Sequence, residues 1–136
     1  FTVAVITNQS CVGRGMTTLA NVRSINARMA EAVAAAGGRL HGVYVCPHVK
    51  EDGCPCRKPK PGLIDQATIE MFVDPARAFL VGDSERDLRA GRARGCTTIL
   101  VAESQEALPS DVRADYVAGD LAEAVALILR LVEKRG

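Results

Sequence analysis

An α/β domain with a mostly parallel sheet is the fold that this sequence predicts. Short apolar runs rich in β-branched residues alternate with longer stretches in which apolar residues recur every three or four positions. Strands that alternate with helices are typical of parallel sheets, because two parallel strands need a long crossover connection. A chain of 136 residues is long enough for one packed core, so we expect residues 1–136 to form a single domain.

The composition narrows the classes of protein to which the chain can belong. Hydrophobic residues make up 48% and charged residues 24% of the chain, which is ordinary for a globular protein. With a net charge of +1 and no Trp, the sequence predicts no basic, aromatic-studded surface for nucleic acid. The apolar runs are far too short to span a membrane, and no signal peptide is visible. The odd count of 5 cysteines predicts a reducing compartment, so we expect a protein of the cytoplasm, and we expect it to be a monomer.

The first part of the chain predicts two strands separated by a long helix. Residues 2–7 are almost continuously apolar, which indicates a strand buried on both faces. A helix capped by Thr17 or Thr18 should follow and run to about residue 36, where two glycines stop it. Its buried stripe is expected to contain Leu19, Val22, Ile25, Met29, Val33 and Ala36. The second strand covers residues 40–45.

The second part of the chain continues the alternation. In order, it predicts a helix over 62–72, a strand over 78–81, a helix to about 94, a strand over 97–101, a short strand at 116–117 and a helix over 120–134. The apolar positions of the first of these helices are Leu63, Ile64, Ala67 and Met71. Those of the last helix are Leu121, Ala124, Val125, Ile128, Leu131 and Val132. Each set recurs at helical spacing and is expected to face a core.

The loop after the second strand is dense in side chains that bind metals. Cys46, His48, Cys54 and Cys56 are thiol and imidazole groups, which zinc prefers, and four of them complete a closed tetrahedral shell. Such a shell is structural, and it would pin a loop that has little apolar content of its own. A disulfide pair or free thiols are the alternatives, although Cys-x-Cys spacing suits a disulfide poorly.

Polar residues lie where three of the predicted strands end. Thr7 and Asn8 follow the first strand, Arg57 and Lys58 follow the metal loop, and Asp83 follows the third strand. Ligands of parallel sheets bind beyond the carboxyl ends of the strands, so these side chains should converge on one edge. Cationic side chains can hold a phosphate and a carboxylate can hold Mg²⁺, the combination that phosphoryl transfer needs.

Asp87 lies about one helical turn after Asp83. It could orient Asp83 or pair with Lys58, and the alternative is a solvated carboxylate on a helix. We expect it to support the site.

These motifs together resemble the haloacid dehalogenase (HAD) superfamily of phosphatases. The matching segments are Val-Ile-Thr-Asn-Gln-Ser at 5–10, Cys-Pro-His at 46–48, Cys-Arg-Lys-Pro-Lys-Pro-Gly at 56–62 and Val-Gly-Asp at 81–83. They are most similar to the zinc-carrying branch, which includes the phosphatases of heptose bisphosphate and of histidinol phosphate. The resemblance covers residues 1–101 and implies a three-layer, Rossmann-like fold with a zinc-pinned loop.

The resemblance implies a role for each matching residue. Thr7, Lys58 and Asp83 would be catalytic: Thr7 would bind the transferring phosphoryl group, Lys58 would neutralise its charge and Asp83 would coordinate Mg²⁺. The residues implied to bind substrate are Asn8, Gln9, Ser10 and Arg57. The cluster Cys46, His48, Cys54 and Cys56 would hold Zn²⁺ and shape the substrate loop.

The implied activity is Mg²⁺-dependent hydrolysis of a phosphomonoester, with a phosphorylated small molecule as substrate. The 7-phosphate of D-glycero-D-manno-heptose 1,7-bisphosphate is the expected target, and histidinol phosphate is the alternative. A non-catalytic, zinc-stabilised phosphate-binding domain is the alternative from another class.

Two departures from the family pattern stand out. The family's nucleophile is the first aspartate of an Asp-x-Asp motif, and no Asp-x-Asp occurs in this chain. The strand that carries it would lie between the strands ending at Thr7 and Val81, so we expect an amino-terminally truncated chain that is inactive alone and has unpaired strand edges. Cys11 stands where the family usually has Gly, and we expect it to be merely tolerated.

Overall fold

The computed structural model describes residues 1–136 and contains five strands and five α-helices. The strands are β1 (Ala4–Asn8), β2 (Gly42–Cys46), β3 (Phe79–Gly82), β4 (Thr97–Val101) and β5 (Tyr116–Ala118). The helices are α1 (Ser10–Gly13), α2 (Leu19–Ala35), α3 (Gly62–Met71), α4 (Glu85–Arg92) and α5 (Leu121–Arg135). Every predicted strand and long helix is present with small shifts of its ends, and only the short α1 was not predicted.

The strands form two sheets, and every strand pair is parallel. β1 pairs with β2, and β3, β4 and β5 form a second sheet in that order. The predicted parallel α/β architecture is therefore confirmed. β1 and β3 each pair with a single strand, so each lies at the edge of its sheet.

The chain divides into two compact units. The first unit contains Phe1–Arg57 and Gly62–Phe72, and the second contains Lys58–Pro61 and Val73–Gly136. None of the helices combines the length and the apolar character that crossing a bilayer requires.

The core of the first unit lies between α3 and the β1–β2 sheet. Its buried members are Tyr44, Cys46, Leu63 and Ala67. The predicted inner face of α3 is confirmed, because Ile64 is buried as well and Met71 packs at the edge of the cluster. Burial of these side chains stabilises the unit by about 1.5–3 kcal/mol for each large apolar residue.

Helix α2 buries less than its sequence pattern predicts. Val22 is its only buried residue, while Ile25 is 65% exposed and Ala36 is exposed too. The prediction that Ile25 and Ala36 belong to a buried stripe is therefore wrong. Periodicity identifies an apolar stripe, but how much of the stripe meets a partner depends on the neighbouring elements.

The second unit has three layers. Phe79 and Val81 of β3 pack with the cluster around Ile99 and α5, whereas Leu80 packs against Gly91 of α4. Successive residues of a strand point to opposite faces, so α4 and α5 cover opposite faces of this sheet.

Helix α5 contacts the sheet along a narrower stripe than predicted. Ala124 is buried and Leu127 and Ile128 pack beside it. Leu121, Val125 and Val132 are 63%, 48% and 37% exposed, so the prediction that they face the core is wrong. The helix is apolar around more of its circumference than the sheet can cover.

The ends of the long helices follow the expected chemistry. Thr18 caps α2 by accepting a hydrogen bond from the N–H of Asn21 at 3.1 Å, as predicted. Asp120 caps α5 in the same way. Gly37 follows α2 with a φ of +89°, in the left-handed region that glycine adopts without steric cost.

Phe72 has an unfavourable backbone conformation at the end of α3. It follows α3 with a φ of +54°, which is strained for a side chain with a β-carbon, and its ring is 96% exposed. Phe72→Gly should relieve the strain and lose little packing, so we expect the free energy of unfolding to rise by about 0.5–1 kcal/mol after the entropic cost of glycine. Urea unfolding measures the change. Phe72→Ala, which removes the ring but keeps the β-carbon, should change little; an equal gain in both variants would contradict a backbone origin.

Candidate active site and metal centre

The predicted metal ligands come together in the first unit. One ligand atom from each of Cys46, His48, Cys54 and Cys56 lies within 4.8 Å of the others. The Cys46 Sγ atom is 3.5 Å from Cys54 Sγ and 3.6 Å from His48 Nδ1, and His48 Nδ1 is 3.3 Å from Cys56 Sγ. Tetrahedral zinc, with Zn–S near 2.3 Å and Zn–N near 2.0 Å, places its ligand atoms roughly 3.3–3.8 Å apart.

The four residues therefore fit zinc. They close the shell without an open coordination position, which is the arrangement of a structural site. The alternative of a disulfide is not what the structure shows, since all five cysteines are free.

Local backbone geometry explains how the loop gathers these ligands. Cys46 ends β2 and is fully buried, and its carbonyl accepts a hydrogen bond from the N–H of Gln9 at 2.8 Å. The next carbonyl, that of Pro47, accepts from the N–H of Gly13 at 2.9 Å. A β-carbon on Gly13 would lie 2.8 Å from that oxygen, so glycine permits the close approach.

The thiols of the centre differ in acidity. Burial disfavours the Cys54 thiolate, but hydrogen bonds from the Arg57 N–H and from the neighbouring thiols outweigh it and lower the pKa of Cys54 to about 7. Burial and the neighbouring cysteines raise the pKa of Cys56 to about 12. Zinc binds thiolates, so metal binding would release the proton of Cys56.

An ion pair in the second unit joins two of the predicted site residues. Lys58 Nζ lies 2.5 Å from Asp87 Oδ1, and the two side chains are only 13% and 12% exposed. Of the two roles that the sequence left open for Asp87, the structure shows the pairing with Lys58, and the alternative of a solvated helix carboxylate is wrong. A nearly buried pair of this kind fixes the position of both charges.

Two groups of Ser84 hold the other oxygen of Asp87. Ser84 donates its hydroxyl to Asp87 Oδ2 at 3.0 Å, and its backbone N–H donates to the same atom at 3.3 Å. Gly82 makes room for the carboxylate, because a β-carbon there would lie 2.6 Å from Asp87 Cγ. Burial raises the pKa of the Asp87 carboxyl, but Lys58 and Ser84 outweigh it, so the pKa lies below its ordinary value.

The free energy of unfolding should depend on pH through Asp87. Its pKa is depressed in the folded state, so its stabilisation is complete above the unfolded-state pKa of about 4 and is lost as the pH falls through the folded-state pKa. Asp87→Asn should therefore cost about 2–3 kcal/mol at neutral pH and progressively less in acid. Urea unfolding of both proteins from pH 7 to pH 3 measures this, and a difference that stays constant with pH would contradict it.

Asp83 directly follows β3 and is exposed. The structure gives its carboxylate no hydrogen-bond or ion-pair partner. Mg²⁺ is commonly held by one or two carboxylates together with water and substrate phosphates, so this side chain fits the predicted role.

The remaining predicted residues lie in the first unit. Thr7 and Asn8 end β1, Ser10 begins α1, and Arg57 is half-buried directly after the metal loop. Gln9 donates its side-chain amide to the hydroxyl of Thr7 at 3.0 Å. Sequence reasoning missed this bond, and it also missed Gly82 and Ser84. The Ser-x-x-Asp spacing of a helix capping box could have identified Ser84.

The chain is similar in sequence to one known protein family and to several named phosphatases. Residues 55–124 match the HAD-hydrolase-like family model. Over 101 residues the chain is 46% identical to D-glycero-beta-D-manno-heptose-1,7-bisphosphate 7-phosphatase of Pseudomonas aeruginosa, covering 74% of this chain and 57% of that protein. A Neisseria meningitidis protein with the same activity in its name is 45% identical over 101 residues, covering 74% of this chain and 54% of that protein. The chain thus spans about half the length of these curated relatives.

A solved structure is similar over nearly the whole chain. The D,D-heptose 1,7-bisphosphate phosphatase of Bordetella bronchiseptica, in complex with magnesium and phosphate, superposes with a TM-score of 0.82 at 37% identity, covering 95% of this chain and 74% of that one. The residue motifs, the parallel α/β architecture, the family model and this superposition agree. The chain belongs to the HAD-like hydrolases.

Proposed function

We propose that this chain forms the greater part of a Mg²⁺-dependent phosphatase that removes the 7-phosphate of D-glycero-D-manno-heptose 1,7-bisphosphate. The ion pair between Lys58 and Asp87 carries the proposal, because it fixes an ammonium group in the unit in which β3 leads into Asp83. A fixed cation and a free carboxylate are what charge neutralisation in phosphoryl transfer requires. The relatives named above carry this activity in their names.

Each proposed role follows from side-chain chemistry. The Thr7 hydroxyl donates a hydrogen bond to the phosphoryl group, Lys58 neutralises the charge that develops on it, and Asp83 holds Mg²⁺. The bound ion would supply positive charge at the phosphoryl oxygens. Asn8, Ser10 and Arg57 are proposed to contact the substrate.

The nucleophile is proposed to lie outside these 136 residues. The chain contains no Asp-x-Asp motif, and it spans 57% and 54% of its relatives. An aspartate carboxylate from the rest of the protein would attack phosphorus and form an aspartyl-phosphate, while the bond from phosphorus to the 7-oxygen of the sugar breaks and that oxygen takes up a proton. Water would then attack the aspartyl-phosphate, which releases phosphate and restores the carboxylate. The reading frame ahead of the codon for Phe1 tests this directly: an apolar strand ending in Asp-x-Asp is expected.

The cluster of Cys46, His48, Cys54 and Cys56 is proposed to bind Zn²⁺ in a structural role. It closes the loop that immediately precedes Arg57 and Lys58. The metal would therefore limit the positions that these two cations can adopt.

Phosphate release from two substrates tests the proposed specificity. The complete gene product should hydrolyse heptose 1,7-bisphosphate in preference to histidinol phosphate, measured as kcat/KM for each. The Pro61-Gly62 pair and Ser10 resemble the heptose branch of the family more than the histidinol branch, which supports the heptose substrate. A preference for histidinol phosphate would overturn the substrate but not the class of reaction.

A phosphate-binding domain without catalysis is the second candidate, and the absence of an Asp-x-Asp motif favours it. It predicts that the complete gene product binds phosphorylated sugars without releasing phosphate. Phosphate release with Mg²⁺, abolished by chelation, would exclude it.

We also propose a monomeric protein of the cytoplasm. Five cysteines without a disulfide are consistent with a reducing compartment. Light scattering on the purified protein measures the oligomeric state.

A further inference from the structure

A chain of hydrogen bonds runs from Cys11 to Thr7 at the end of β1. The Cys11 thiol lies 3.6 Å from Gln9 Oε1 and donates to it. Gln9 Nε2 lies 3.0 Å from Thr7 Oγ1 and donates to that hydroxyl. The Cys11 thiol thus defines which end of the Gln9 amide faces Thr7, since a thiol donor requires the carbonyl end.

The direction of these bonds decides where the Thr7 proton can point. A threonine hydroxyl has one proton and two acceptor lone pairs. The Gln9 N–H occupies one lone pair, so the hydroxyl proton cannot be shared with Gln9 and is turned away from it. The structure provides no acceptor for that proton within the protein.

We infer that Gln9 is a positioning residue that directs the Thr7 hydroxyl proton toward an anionic phosphoryl oxygen, and that Cys11 fixes the amide of Gln9 in the required orientation. The inference rests on the proposed function, in which Thr7 binds the phosphoryl group. It assigns to Gln9 an action through Thr7 in place of direct contact with substrate.

This role explains why an amide suits position 9. Glutamate has the same shape but only acceptor oxygens, so it would capture the Thr7 proton and reverse the bond. Methionine has a similar length and neither donates a proton nor carries a charge. Gln9→Glu therefore tests reversal of the hydrogen bond to Thr7, and Gln9→Met tests its loss.

Binding of inorganic phosphate to the complete gene product tests the inference by calorimetry. Gln9→Met should weaken phosphate binding about 2- to 10-fold, the equivalent of one hydrogen bond, and Gln9→Glu should weaken it more. In a Thr7→Val background, Gln9→Met should cause no further loss, because the hydroxyl that it positions is gone. Comparing Gln9→Glu in both backgrounds subtracts the repulsion of phosphate by the new charge. Cys11→Ala should give a smaller loss than Gln9→Met.

The outcomes separate this inference from the proposed function. If Thr7→Val weakens binding but Gln9→Met has an equal effect in both backgrounds, Gln9 does not act through Thr7 and the inference is overturned alone. If Thr7→Val leaves binding unchanged, or the complete wild-type protein does not bind phosphate, the proposed role of Thr7 fails and the inference fails with it.

A spectroscopic measurement that does not depend on phosphate completes the test. One side-chain amide proton of Gln9 should shift in the ¹⁵N-edited spectrum of Thr7→Val, and the same spectrum reports whether the variant is folded. An unchanged Gln9 signal in folded Thr7→Val would show that the hydrogen bond is absent, which overturns the inference whatever the affinities.

Discussion

Replacing Lys58 with methionine in the complete enzyme is expected to lower kcat by on the order of a hundredfold or more. Methionine keeps most of the length of the side chain but has no charge, so the phosphoryl group would lose a cation when its negative charge develops. The structure adds a second effect, because Asp87 would be left without its partner in a nearly buried position. Steady-state release of phosphate from heptose 1,7-bisphosphate measures the change.

The neighbouring Lys60 provides the control for this variant. It lies in the same Lys-Pro-Lys-Pro segment but is exposed and has no proposed role in catalysis. Lys60→Met should therefore keep kcat close to the wild-type value. An unchanged kcat in Lys58→Met would limit Lys58 to a structural role.

Removing a ligand of the metal centre has the second large expected effect. Cys54→Ser should lower zinc affinity at least about 100-fold, because binding of structural zinc is coupled to the order of the loop that it closes. The loop lies directly before Arg57 and Lys58. Its loss of order should therefore raise KM clearly, while the stability of the two sheets should fall only slightly. Atomic emission measures the zinc content. Hydrogen exchange compares the order of the loop, residues 46–58, with that of β4, residues 97–101.

Cys96→Ala is the matched control, since Cys96 is a buried cysteine outside the cluster. It should retain zinc and normal exchange in the loop. Purified wild-type protein without zinc above background would contradict the assignment of this centre. If Cys54→Ser speeds hydrogen exchange equally in the loop and in β4, the metal does not act on the loop alone.

Residue chemistry and spacing predicted the parts of the site that depend on local sequence. The zinc ligands were recognisable because four soft ligands within eleven residues have few other uses. The pairing of Lys58 with Asp87 was one of two possibilities that the sequence left open, and only packing around Gly82 and Ser84 decides between them. The order of strands and helices followed from periodicity alone.

Features set by packing between elements could not be predicted in the same way. Ile25, Leu121 and Val125 lie at helical spacing with their neighbours, yet all three are exposed in the folded chain. The direction of the hydrogen bond between Gln9 and Thr7 was also inaccessible, because either side chain can donate or accept. A pattern in sequence gives candidates for burial and bonding, and the surroundings select among them.

The single hydroxyl of Ser84 links two properties of α4 that could otherwise evolve separately. It accepts a hydrogen bond from the N–H of Asp87 at 3.4 Å, which caps the helix, and it donates a hydrogen bond to the carboxylate of the same residue. Aspartate caps helices as well as serine does, but here it would place a second negative charge beside Asp87. The residue that begins this helix must therefore also be able to donate a hydrogen bond, and threonine is the nearest substitute for serine. The acceptable variation at position 84 is set by the charge of Asp87 rather than by the helix.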